Sequence, residues 1–286
     1  MFYREFLPPP PLRPYIHLYG VLEEPLVFEK VQQEKTPPAI NKGLMFHYRR
    51  DNFLKIDNNT FSGDLPRGFI MPQCTNPQWW THHGGFGIFS IIFKPGKFGL
   101  FFPDPFLEFI DRPLSFELYN DKNLLNLHNE MMEAQNNLER LRLANEYLSE
   151  KLKKVKETNQ KVQFALNLLL SNPQLNIKQI CNHLEYGERH FHRTFSRTFG
   201  LSPKKFQCLL RINKVINLMG SGKFQKLTDI AYQAGYADQA HFIRDFKSYT
   251  NMTPKAFLKS ELNITSLINF REEVVNGREL GRRLLL

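Results

Sequence analysis

Arg189, His192, Arg193 and Ser196 are spaced so that a helix carries all four on one stripe, a row of hydrogen-bonding groups of the width that fits a B-DNA major groove. A guanidinium there can bond bidentately to guanine, can hold a phosphate, or can simply be solvated, and these readings stay open for Arg193 and for Arg244. A second stripe, Ala240, Ile243, Arg244 and Lys247 with Gln239 near its start, is less polar. Its amide suits adenine, and its apolar members suit thymine methyls. The candidates for base contact are therefore Arg189, His192, Arg193, Gln239, Ala240, Ile243 and Arg244. Arg197, Lys204, Lys205, Lys214, Lys247 and Lys255 are the candidates for phosphate contact, since clustered cations gain from counterion release. His190 is expected to pack or hydrogen-bond locally.

The charge distribution agrees with a polyanionic partner. Residues 161–260 hold 15 Lys and Arg against 5 Asp and Glu, whereas the rest of the chain is balanced at 23 of each, so the whole net charge of +10 sits in one third of the sequence. A charge serving solubility alone would be spread out. The 286 residues suffice for two domains, and 42% hydrophobic with 23% charged residues is ordinary for a globular chain. No apolar run reaches the roughly 18 residues of a membrane span, and the first residues lack the apolar stretch of a signal peptide, so a cytoplasmic protein is expected. Cys74, Cys181 and Cys208 are odd in number and far apart, which fits neither a disulfide framework nor a zinc site and suggests buried thiols. No cofactor is implied.

The elements carrying the stripes repeat. Residues 192–206 fall on residues 243–257 at a constant offset of 51, matching Arg193 with Arg244, Phe195 with Phe246, Pro203 with Pro254, Lys204 with Lys255 and Phe206 with Phe257. Upstream, residues 177–184 predict a short helix, Glu185, Tyr186 and Gly187 a turn, and 188–199 a second helix whose Phe191, Phe195 and Phe199 mark a core face. In the second copy residues 227–234 form the first helix, Gly235, Tyr236 and Ala237 the turn, and Asp238 caps a helix running to about Tyr249. Residues 203–219 predict a helical strut ending at Gly220, Ser221 and Gly222. A strut that holds the two reading helices about one DNA turn apart, roughly 34 Å, would let one chain enter successive major grooves.

In these residues the sequence resembles the AraC/XylS family of transcription regulators over about residues 162–260. The second copy carries the resemblance most closely, in Asp229, Ile230, Ala231, Tyr232, Gln233, Ala234, Gly235 and Tyr236, then Asp238 to Phe242, Arg244 to Lys247, Thr253 and Pro254. The resemblance implies sequence-specific binding of double-stranded DNA through both second helices. The first copy departs from the pattern: Glu185 stands where the turn has Gly, Cys181 where Ala is common, and Gly187 where Ser caps the helix.

An α+β chain is expected, with a β-rich front domain, a helical segment, and an all-α domain with two helix-turn-helix units. The divisions are 1–120 for a sensor domain, 121–157 for a dimerisation helix or helix pair and linker, 158–260 for DNA binding, and 261–286 for a tail without a recognised motif. Alternating stretches between residues 26 and 93 predict a sandwich or barrel. The family resemblance implies a cupin-like barrel that binds a small effector, and residues 93–110 resemble a strand-to-helix exit seen in relatives with poorly characterised sensor domains. His82 and His83 lack the nearby Glu of a cupin metal site, so no metal is expected. Trp79, Trp80, Phe86 and Phe89 either line an apolar effector pocket or form core. Leu127, Met131, Ala134, Leu138, Leu141, Asn145, Leu148, Leu152 and Val155 follow heptad spacing, which predicts either a coiled coil with Leu138, Leu141, Asn145, Leu148 and Leu152 in a dimer seam, or two helices broken near residues 135–137 and packed on the front domain. Residues 151–160 read as a linker. Expected partners are DNA, a small effector, a second copy of the chain and, for an activator, RNA polymerase, with binding rather than catalysis as the mechanism. The rival readings are a DNA-repair enzyme with a fused DNA-binding module and an interaction module that has lost DNA binding.

Overall fold

A computed structural model describes residues 2–24, 31–50, 54–102, 109–155, 160–222 and 224–259. The front half is built on two antiparallel sheets. One has the order β1 (Phe2–Phe6), β2 (Ile16–Glu24), β9 (Phe86–Phe93), β4 (Gly43–Arg50), β7 (Gly68–Met71) and β10 (Leu114–Ser115). The other has the order β3 (Gln32–Thr36), β8 (Gln78–His82), β5 (Leu54–Asp57) and β6 (Ser62–Asp64). All eight residues of β9 are buried, because this central strand is covered on both faces. Phe86 and Ile88 point between the sheets with Leu54, Ile56 and Phe69, while Phe89, Ile91 and Phe93 point to the helices behind.

Those helices are α1 (Phe98–Phe101), α2 (Phe116–Tyr119), α3 (Lys122–Glu133) and α4 (Asn137–Leu152). The heptad spacing does not produce one long helix. The chain turns extended at Ala134 (ψ 129°), and Asn136 starts α4 by accepting a hydrogen bond from Glu139 N. Arg140 secures the break by donating to Met131 O (3.1 Å) and Ala134 O (2.7 Å), carbonyls at the end of α3, with its guanidinium 3.7 Å from the centre of the Tyr48 ring. Leu148 is fully buried, Leu141 and Leu152 pack into the same core, and Asn145 Oδ1 accepts from the Tyr19 hydroxyl at 2.7 Å. The helix-pair alternative is thus the observed one, and these seam positions are used inside the chain; of the five, Leu138 is exposed.

The β-rich expectation for the front half holds, although β1 and β2 precede the predicted start at residue 26, which itself lies outside the described residues. Residues 103–108 of the predicted strand-to-helix exit, 156–159 of the predicted linker, residue 260 and the whole of the tail, 261–286, also lie outside them. Within the described residues, Lys151 and Leu152 close α4 and Gln160 opens α5 (Gln160–Ser171).

The C-terminal half is helical: α6 (Ile177–His183), α7 (Glu188–Phe199), α8 (Pro203–Ser221), α9 (Leu227–Ala234), α10 (Gln239–Thr250) and α11 (Pro254–Lys259) follow α5. The α8 strut starts at Ser202, which accepts from Lys205 N, and stops at left-handed Gly222 (φ 65°). Its first half packs into the core of the first helix pair and its second half into the core of the second.

Candidate nucleic-acid interface

In the first unit, α6 and α7 are joined by a turn in which Glu185 adopts φ 51°. Phe191, Phe195 and Phe199 anchor α7, with Phe195 4.6 Å from Phe199 and 5.4 Å from Phe206 on the strut, between ring centroids. Burial of this face leaves Arg189 and Arg193 exposed on the other, with His192 and Ser196 half-buried beside them. Arg193 Nη2 donates to His190 Nδ1 at 3.3 Å, and the imidazole packs 4.8 Å from the Tyr186 ring. His190 therefore plays a local part and holds Arg193 along the helix.

In the second unit, Asp238 Oδ1 accepts from His241 N at 2.7 Å and caps α10. Phe242 and Phe246 are buried, while Gln239, Ala240, Ile243, Arg244 and Lys247 are exposed. Tyr186 N donates to Cys181 O and Tyr236 N to Ala231 O, both at 2.9 Å, so the two turns begin alike. After that point the second turn is one residue longer, because Ala237 separates Tyr236 from its cap whereas Gly187 follows Tyr186 directly.

Among the phosphate candidates Arg197, Lys204, Lys205, Lys247 and Lys255 are exposed and Lys214 is half-buried. Lys204 and Lys255 occupy equivalent first turns, of α8 and α11. A polar cluster missed from sequence ties α10 to the strut: Asp245 Oδ2 lies 3.3 Å from Arg211 Nη2, 3.3 Å from His241 Nε2 and 3.4 Å from Cys208 Sγ. Its signal was present, since Asp245 is one of the five acids in the basic region and stands four residues after His241.

The four aromatic residues proposed for an effector pocket do not converge. Phe86 and Phe89 project from opposite faces of β9, Phe89 into the core against the helices. Trp79 faces outward beside Lys35 Nζ (5.4 Å to its ring), and Trp80 turns inward, donating to Thr36 Oγ1 at 3.2 Å. Trp80 instead borders a cavity of about 40 Å³ that it shares with Thr36, Ala39, Met45, Cys74 and Gln78. Cys74 and Cys181 are buried as expected, and Cys208 is half-buried; burial raises the pKa of all three thiols. Among the described residues no helix is long and apolar enough to cross a membrane, and no group of three or more His, Cys, Asp or Glu is placed to hold a metal ion.

Two helix-turn-helix units joined by one strut, each presenting the exposed face of its second helix, define a double helix-turn-helix domain. Residues 180–260 match a helix-turn-helix domain family, and residues 4–115 match a domain of unknown function, DUF6597. An uncharacterised HTH-type transcriptional regulator of Haemophilus influenzae is 29% identical over 104 residues, 36% of this chain and 35% of its own length. The HTH-type transcriptional activator RhaS of Escherichia coli is 29% identical over 96 residues, 32% of this chain and 34% of its own. The chain thus spans about a third of the length of these relatives. Among solved structures, ToxT from Vibrio cholerae is similar at 15% identity and a TM-score of 0.48, covering 84% of this chain and 97% of its own. Its C-terminal region thus carries a helix-turn-helix domain similar to those of HTH-type transcriptional regulators.

Proposed function

We propose that the protein is a sequence-specific DNA-binding transcription regulator that reads two successive major grooves, one with α7 and one with α10. The observation that carries this reading is the pairing of two equivalent helices, each buried by phenylalanines on one side and exposing Arg193 or Arg244 at the matched position on the other. In this reading Arg189, His192, Arg193, Gln239, Ala240, Ile243 and Arg244 meet base edges, and Arg197, Lys204, Lys205, Lys247 and Lys255 meet phosphates. Five such phosphate contacts predict an affinity loss of about 10²–10³-fold between 50 and 200 mM salt. A gel shift with random-sequence duplex at those two concentrations tests it, and absent or salt-independent binding defeats the reading.

Control by the front domain belongs to the same proposal. A ligand that favours one arrangement of the two halves changes DNA affinity by as much as its own affinity differs between arrangements. The direct packing of Ile40 into the first unit's core supports a route from the front domain to the DNA-binding domain. Homodimerisation would use the outer surfaces of α3 and α4, where Leu138 is exposed, rather than the buried heptad positions. Contact with RNA polymerase follows if the chain activates transcription. The expected place of action is the cytoplasm.

A further inference from the structure

The front half touches both reading helices at their carboxyl ends, and it does so with one short stretch of chain. Lys35 Nζ donates to Thr250 O, the last residue of α10, at 3.0 Å. Lys42 reaches the equivalent end of α7: a β-carbon on Gly200, which caps that helix in the left-handed conformation (φ 84°), would sit 3.6 Å from Lys42 Nζ and 3.1 Å from Gln73 Oε1. Gly200 corresponds to Asn251, the left-handed cap of α10, at the repeat offset of 51. Two ammonium groups therefore stand at matched ends of duplicated helices, where cations are electrostatically favoured. Between them Asn213, buried midway along the strut, accepts from Ile40 N at 3.2 Å and donates to Pro38 O at 3.0 Å. The Ile40 side chain completes the core around Phe195 and Phe199.

The two helix-turn-helix cores are separate clusters, bridged within the C-terminal half by α8 and by Tyr249 of α10, which packs against both. Residues 35–42 run beside α8 as a further tie, hydrogen-bonded to the end of α10 and to the middle of the strut, with Lys42 close to the end of α7. Fully extended, they reach no more than roughly 25 Å. Ala39 fixes the stretch to the front domain by exchanging backbone hydrogen bonds with Cys74 (2.9 and 2.8 Å). We propose that residues 35–42, through Lys35, Asn213 and Lys42, set the separation of the two reading helices and so determine which spacing of two DNA motifs the chain accepts. This rests on the DNA-reading role proposed above.

The test uses the full chain and duplexes carrying two selected motifs, with the intervening DNA lengthened or shortened by one to three base pairs. The wild type is expected to lose about tenfold or more in affinity when the spacing changes by two base pairs. Asn213→Ala and Lys35→Met are expected to cut that penalty to about threefold or less, each tie hydrogen bond being worth a factor of about five. If Asn213→Ala does not fold, Lys35→Met decides, since the half-buried Lys35 lies at the domain edge. A wild type without spacing preference, or folded variants that keep the wild-type penalty, overturns the proposal. Should the wild type bind no DNA, the DNA-reading role fails instead. Amide exchange over residues 247–251 then judges the tie: faster exchange in Lys35→Met supports it, and unchanged exchange overturns it.

Discussion

The first helix-turn-helix unit carries the richer reading face and the poorer local structure, and the second has the reverse. In the second, Asp238 satisfies an N-terminal amide of α10, Gly235 takes the left-handed turn position at φ 94°, and Arg211 and Asp245 pin the reading helix to the strut. In the first, Gly187 caps α7 with no side-chain acceptor, Glu185 takes the corresponding left-handed position, and the helix is fixed mainly by its phenylalanine ladder. The exposed residues follow the opposite trend, Arg189, His192, Arg193 and Ser196 against Gln239, Ala240, Ile243 and Arg244. In the proposed reading the first unit would supply more of the discrimination and the second more of the anchoring.

The dependence of the first unit on its aromatic face gives the largest expected effect. Phe195→Ala should destabilise the domain by about 3–5 kcal/mol in a denaturant titration, because its ring meets Phe191, Phe199 and Phe206 in a closed core. Next comes base reading: Arg193→Ala should lower affinity for the selected site by about 1–3 kcal/mol in a binding titration and relax specificity at one position. Arg244→Ala should cost no more than this, and a larger loss would reverse the proposed division of labour. Removing the cap from the second unit by Asp238→Ala should cost about 1 kcal/mol in thermal unfolding. Glu185→Gly should stabilise the first unit by up to about 1 kcal/mol, since only glycine takes the left-handed region without penalty. The smallest effect is a gain of a few tenths of a kcal/mol for Gly187→Ser, seen as a slight rise in Tm; a loss would show that the shorter first turn excludes a capping side chain.

Local chemistry made the C-terminal helices legible. Asp238 was readable as a cap and the phenylalanine spacing as a core face because both signals lie within a few residues of the element they define. The predicted bounds of α9 agree with the structure for the same reason. Strand β2 was hidden because it is buried on both faces and so lacks alternation. The break between α3 and α4 depends on Arg140 reaching back to Met131 and Ala134, which heptad spacing does not report. The failure of the aromatic pocket was legible, however: residues three apart on a strand, such as Phe86 and Phe89, face opposite sides. The tie from residues 35–42 left no local trace, since Lys35, Asn213 and Thr250 meet only after both halves have folded.

Selection of bound sequences from a random duplex pool, performed with the wild type, Arg193→Ala and Arg244→Ala, tests the two-helix reading most directly. The expected wild-type site has two motifs whose centres lie about one helical turn, roughly 34 Å, apart, with each variant losing selection at one position in a different motif. A single selected motif, or variants that return the wild-type site unchanged, would contradict it.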